Sequence, residues 1–242
     1  MSVTVHPVVE GILEVHINDG KLNAFTLDMI REVDRALDKA EKEDIGSVLL
    51  VGNQRAFSAG FDLTVMGGPP SSQKAQLYMA GANLMLRMFE FPRPIVIACT
   101  GHAIALGAIM LMAVDVRIGA REAKYKIGMN EVAINMPVPV FGVELARSRI
   151  KPAALSRATT QAVLFNPEAA VEVGYLDQAV PKADVINVAR REATRLKVLK
   201  SPNFSITKQR ERGAIASVIR NSLADDRNML MQELQRIGKA NL

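Results

Sequence analysis

Twenty-one consecutive residues, Pro94 to Val114, carry no formal charge. A run this apolar has to be buried, since surface patches of that size are rare on soluble chains. Its length also matches the roughly 20 residues with which a helix crosses a bilayer. The internal order decides against a membrane span. The run opens on β-branched Ile95, Val96 and Ile97, breaks at Thr100-Gly101-His102, and resumes in an Ala/Leu/Met stretch that favours helix. It therefore reads as a buried strand (Ile95 to Cys99), a turn, and a buried helix (Leu106 to Val114).

The flanks repeat the order strand, loop, helix. Residues 3 to 17 alternate apolar and polar around Glu10-Gly11, which predicts a β-hairpin closing at Asn18-Asp19-Gly20 and places His6 and His16 on strands as polar-face residues with no metal-ligand spacing beside them. Thr26 is placed to cap a helix whose apolar residues Leu27, Ile30, Val33, Leu37 and Ala40 recur at three- and four-residue steps. Ser47 to Val51 reads as a buried strand and Ser71 to Phe91 as a helix. Gly67 to Ser72 reads as a mobile loop beside a site. Val116–Ile118 and Tyr125–Ile127 read as a strand pair around Arg121-Glu122, and Pro139 to Ile150 as a helix. Beyond Pro181 three helices are expected, at 183–199, 202–222 and 225–237.

With 49% hydrophobic and 23% charged residues, a 242-residue chain can bury the core of one globular domain, and pervasive disorder is excluded. The single cysteine excludes a disulfide framework. Cys99 lies inside the apolar run and is expected to be a buried, reduced side chain, so the cytoplasm is the expected compartment. Met1 to Glu10 contains no basic stretch followed by an apolar core, and no secretory signal is read there. Charge is uneven: residues 183–242 hold twelve Lys or Arg against six Asp or Glu, whereas the first 182 are nearly balanced. A basic tail suits either a solvated helix face or an anionic partner. Its few aromatics argue against nucleic acid.

Phosphate-cradling GxxxxGK(S/T) and GxGxxG loops, the GxSxG elbow and the HExxH zinc helix are all missing. Two glycine-containing turns remain, each following a buried strand. One is Ala56-Phe57-Ser58-Ala59-Gly60-Phe61-Asp62-Leu63, and the other, Gly101-His102-Ala103-Ile104-Ala105-Leu106-Gly107, opens a helix. Small residues allow a close backbone approach, and the first amides of a helix lack internal acceptors. Such turns serve as plain turn chemistry, or as two converging amides that hold a carbonyl oxygen.

The two turns, their order and their separation resemble the enoyl-CoA hydratase/isomerase (crotonase) superfamily. Asn23-Ala24, the block Ala56 to Leu63, the block Gly101 to Asp115 and Asn130-Glu131-Val132 occur in the family's order over nearly the whole chain. The resemblance implies an α/β fold, a Clp protease-like spiral of ββα units. It implies a core with the acyl-CoA site over residues 1–182 and a helical trimerisation region over 183–242, assembled as a homotrimer or dimer of trimers. It also implies an acyl-CoA substrate, a coenzyme A thioester, with no cofactor, metal, membrane or nucleic-acid partner. Carried onto this chain, the oxyanion amides fall to Phe61 and Leu106. Leu22, Ala24, Ser58 and Ala59 fall in the coenzyme A channel, with Gly60 and Gly107 in the turns themselves. Lys208 or Arg212 becomes a candidate for the coenzyme A phosphates.

The sequence departs from the family's hydratases at one informative position. They hold water between two glutamates, the first two residues beyond the last glycine of the second turn, where this chain has Ile109, a side chain that cannot carry a proton. The match to the second is Glu131, expected either to face a pocket lined by Ile109, Met110 and Met136 or merely to cap structure. In that pocket desolvation would raise its pKa toward neutrality. One carboxylate suffices to take a proton from C2 and return it at C4, so isomerisation is expected ahead of hydration. Hydration with one glutamate and a non-catalytic acyl-CoA-binding role are the alternatives. Glu144 is expected to be a surface helix charge.

Overall fold

The computed structural model describes residues 2–240, with side chains described to 228. Six strands lie side by side in chain order: Val3–Val5, Ile12–Ile17, Ser47–Val51, Ile95–Cys99, Val116–Ala120 and Gln178–Val180. The first pair is antiparallel and the rest are parallel. Every residue of Ser47–Val51 and Ile95–Cys99 is buried, because the sheet is covered on both faces. Alternation along each strand divides these residues between two cores. Val48, Leu50, Ile95, Ile97 and Cys99 join the larger one, while Leu49, Val51, Val96 and Ala98 meet Val185, Val188, Ala189 and Ala193 of the helix Val185–Lys197 on the other face.

Four of the large strands are each followed by a short strand turning away from the sheet and then by a helix. The short strands are Ala24–Phe25, then Ala56–Ser58 with Gly60–Phe61, then His102–Ile104, then Ile127–Gly128. The helices are Leu27–Lys42, Ser72–Glu90, Leu106–Met112 and Val140–Arg149. The short strands form a three-stranded sheet (127–128, 102–104, 56–58) and a two-stranded one (24–25, 60–61). The result is a spiral of ββα units, as the resemblance implies, and Pro94–Val114 folds as strand, turn and helix. Among the described residues no helix is long and apolar enough to cross a membrane.

Thr26 caps the first long helix, its hydroxyl accepting from Met29 N at 3.3 Å. Ser71 caps the helix Ser72–Glu90, and in the segment before it Gly67 N is bonded to Leu63 O and Gly68 O accepts from Lys74 Nζ. The hairpin of residues 3–17 reverses at Glu10-Gly11, both at positive φ (50° and 76°), between reciprocal Val9–Ile12 bonds; Asn18–Gly20 is instead the turn that leaves the sheet. His6 and His16 meet with ring centroids 4.3 Å apart, tilted at 56°, and Glu14 between His16 and Arg190 is held down to about 2, its partners outweighing the opposing effect of burial.

The expected pairing of Val116–Ile118 with Tyr125–Ile127 is overturned. Val116–Ala120 lies in the large sheet and Ile127–Gly128 pairs with His102–Ile104, because each unit sends its two strands to different sheets. Pro202–Ala240 is one helix rather than two. Its Ala216, Ile219 and Leu223 are buried in the larger core, so this segment and the helix Val185–Lys197 are built onto the spiral.

Candidate active site

The two glycine turns meet at Gly60. It adopts φ +100°, and a Cβ there would fall 2.9 Å from the Ala105 Cβ and 3.5 Å from Leu106 N, so only glycine allows the approach. The Gly60–Phe61 peptide and the Leu106 amide are therefore neighbours. Asp62 N donates to Phe25 O at 3.0 Å. In the parallel Ala24/Gly60, Phe25/Phe61 register the pleat then turns the Phe61 N–H to the opposite edge, away from strand 24–25. Leu106 is the first residue of its helix and has no intrahelical acceptor for its amide. Before it, Ala105 sits at φ 52°, ψ −122°, a strained conformation for a residue with a Cβ, fixed in part by its amide bond to Gly128 O at 3.1 Å.

The first turn is pinned by a buried polar network. Asn23, fully buried at φ 55°, places Nδ2 within 2.9, 3.1 and 3.0 Å of the carbonyls of Ile17, Ala56 and Phe57. Its own carbonyl accepts from Ser58 Oγ at 2.8 Å, and Ser58 Oγ accepts from Gly60 N at 3.1 Å. The Ser58 hydroxyl is thus consumed inside the fold. The sequence signal for this network is an Asn at a turn beside buried strands.

Leu22 is exposed, and its carbonyl takes the Ala59 amide at 2.9 Å; half-buried Ala24 pairs with Gly60. Gly107 packs so tightly on Ser58 that a Cβ would fall 2.4 Å from the Ser58 carbonyl oxygen. Ile109 is buried, with Cδ1 only 2.9 Å from where a Cβ on Gly142 would be, and Val138 shares that notch.

Glu131 lies three residues beyond Gly128, whose carbonyl holds Ala105. It is 7% exposed, and among the described residues its Oε2 has no hydrogen-bond partner. Desolvation raises its pKa, against a smaller lowering by the amides of Glu131 and Asn130. The turn Val132–Ile134, closed by left-handed Asn135, returns Met136 so that its amide donates to Glu131 O at 2.9 Å.

Lys208 and Arg212 are placed otherwise than expected. Both are buried, with Lys208 Nζ and Arg212 Nη2 each 2.8 Å from Asp115, and Arg212 Nη1 also donates to Phe89 O. Their charges are taken up inside the fold, out of reach of a phosphate at the surface. Burial pushes the Lys208 ammonium down to about 8. Cys99 makes no nucleophile: burial pushes its thiol up to about 12, and its Sγ donates to Gly101 O at 3.4 Å. Glu144 is half-buried and pairs with Arg147 at 3.6 Å.

Residues 8–236 match the family model described as enoyl-CoA hydratase/isomerase. Human mitochondrial enoyl-CoA delta isomerase 1 is 29% identical over 209 residues, covering 86% of this chain and 69% of that protein. A Mycobacterium tuberculosis enoyl-CoA isomerase structure matches with TM-score 0.88 at 32% identity, over 93% of this chain and 97% of its own. An enoyl-CoA hydratase from Mycobacterium marinum matches with TM-score 0.88 at 32% identity, over 93% and 98%. The chain belongs to the enoyl-CoA hydratase/isomerase family.

Proposed function

We propose that this enzyme shifts the double bond of a 3-enoyl-CoA to the 2 position, using the Phe61 and Leu106 amides as an oxyanion hole and Glu131 as the proton carrier. The carrying observation is that Glu131 is buried with a carboxylate oxygen that has no partner among the described residues, while Ile109 is buried at the position that the resemblance gives to the hydratases' first glutamate. Two amides on the thioester oxygen stabilise the enolate left when a C2 proton departs; one such donor contributes about 3–4 kcal/mol to the transition state. A carboxylate short of hydrogen bonds takes that proton readily because protonation relieves its desolvation. It then delivers the proton to C4, and the electrons of the enolate settle as the conjugated 2-ene. Migrating a double bond is redox-neutral, so the proposal calls on no redox cofactor.

Adding water across the bond is better served by two carboxyl groups, one ionised to deprotonate water and one protonated to deliver a proton to C2. The hydratase name of the M. marinum relative makes hydration the competing reading. Incubating the enzyme separately with a 3-enoyl-CoA and with crotonyl-CoA decides between them. Faster formation of the conjugated thioester than its loss is the expected result; dominant hydration rejects the isomerase reading. Binding of acyl-CoAs without turnover would mark a non-catalytic member.

The reading includes an acyl-CoA substrate and self-assembly as a trimer or dimer of trimers through the C-terminal helical region, which sedimentation tests. It also includes the cytoplasm as compartment, tested by cell fractionation.

A further inference from the structure

We infer that Ser58 is a positioning residue, whose hydroxyl keeps the Phe61 amide aimed at the substrate oxygen rather than lining the coenzyme A channel. The inference rests on the oxyanion reading above. The amide in question belongs to the Gly60–Phe61 peptide, and glycine is the residue about which a peptide flips at least cost. A flip would replace the N–H with a carbonyl oxygen and turn a stabilising site into a repulsive one. Pairing with strand 24–25 holds the peptide at the Gly60 carbonyl, and two hydrogen bonds anchor the amides on either side of it. On the C-terminal side Asp62 N is held by Phe25 O at 3.0 Å, and on the N-terminal side Gly60 N is held by Ser58 Oγ at 3.1 Å.

Ser58 suits the task because nothing else is asked of its hydroxyl. The side chain is fully buried, its proton is committed to Asn23 O at 2.8 Å, and an oxygen lone pair is thereby oriented toward Gly60 N. Asn23 is fixed in turn by its three carbonyl contacts. Ser58 also abuts Gly107 through its carbonyl and Cβ, one residue beyond Leu106. A single residue thus ties the loop that carries the first amide to the helix that carries the second.

Steady-state kinetics of Ser58→Ala and Ser58→Cys with a 3-enoyl-CoA, beside their melting temperatures, test this. Alanine leaves Gly60 N without its anchor, and kcat is expected to fall at least about tenfold, a fraction of what deleting an oxyanion donor costs, at nearly unchanged KM. Cysteine, a weak donor and acceptor of similar size, is expected to give an intermediate kcat at the same KM. Unchanged kcat in the alanine variant overturns the inference. So does a raised KM with unchanged kcat, which would make Ser58 a substrate contact. Should the alanine variant fail to fold, the cysteine variant decides: lowered kcat at unchanged KM supports the role, and wild-type kcat removes it. Absence of turnover in the wild-type enzyme is a separate result, which sinks the functional reading and this inference with it.

Discussion

Asp115 and Glu131 are both carboxylates sunk in the fold, and their surroundings are opposite. Asp115 accepts from Ile95 N, Lys208 Nζ and Arg212 Nη2, each at 2.8 Å. Glu131 leaves one oxygen with no partner among the described residues. Asp115 joins the long C-terminal helix to the start of a core strand, with a donor on each side of its carboxylate. Glu131 has its charge opposed by desolvation and is free to change protonation state. Burial alone does not mark a reactive acid; the count of donors around it separates a structural carboxylate from a chemical one.

Exchanging the two acids' fates breaks or sharpens that contrast. Glu131→Gln is expected to lower isomerisation by about 10²–10⁴-fold, the usual contribution of a positioned acid or base, with little change in the affinity for acyl-CoA. Stopped turnover measured against thioester binding checks this. Asp115→Ala is expected to do the reverse. It strands two buried cations and should cost about 3–5 kcal/mol in denaturant unfolding, with kcat per folded molecule preserved. Ile109→Glu restores a second acid in the notch beside Gly142. Hydration of crotonyl-CoA, followed by loss of the conjugated absorbance, should rise at least about tenfold over wild type, accompanied by a lower melting temperature.

The smallest effect is on stability. A carboxyl whose pKa is raised by folding binds more protons in the native than in the unfolded state, so its contribution to stability is present at low pH and is lost as pH rises through the native value. Glu131→Gln should therefore be more stable than wild type at neutral pH, and the gap should close on acidification. Paired thermal melts across that range read it directly.

Local features of the fold were legible in the sequence and partner choice was not. The Thr26 cap, the all-apolar strands 47–51 and 95–99 and the two glycine turns are written within a few residues each, and they appear where expected. Val116–Ala120 and Ile127–Gly128 look like a hairpin because they are near in sequence. Their partners come from other units, and no local pattern encodes that. Gln178–Val180 was missed because so short an edge strand carries almost no periodicity.

At the site, the placement of Gly60 beside Leu106 follows the turns already visible in sequence. The Ser58 and Asn23 bonds depend on the left-handed turn at Asn23, which directs its side chain onto three carbonyls of two strands. Lys208 and Arg212 misled for the opposite reason. A basic residue at helical spacing reads as exposed unless its acid is known, and Asp115 lies about ninety residues away in sequence.

The account turns on Glu131 being an acid whose burial raises its pKa and so makes its carboxylate a better base. The most direct measurement is the pH dependence of kcat for 3-enoyl-CoA isomerisation in the wild-type enzyme and in Glu131→Gln. The base works only when ionised, so wild-type kcat should hold at high pH and decline as pH falls, with a midpoint above the ordinary glutamate value, and the residual activity of the glutamine variant should lack that decline. A midpoint at the ordinary value, or the same acid limb in both proteins, would contradict it.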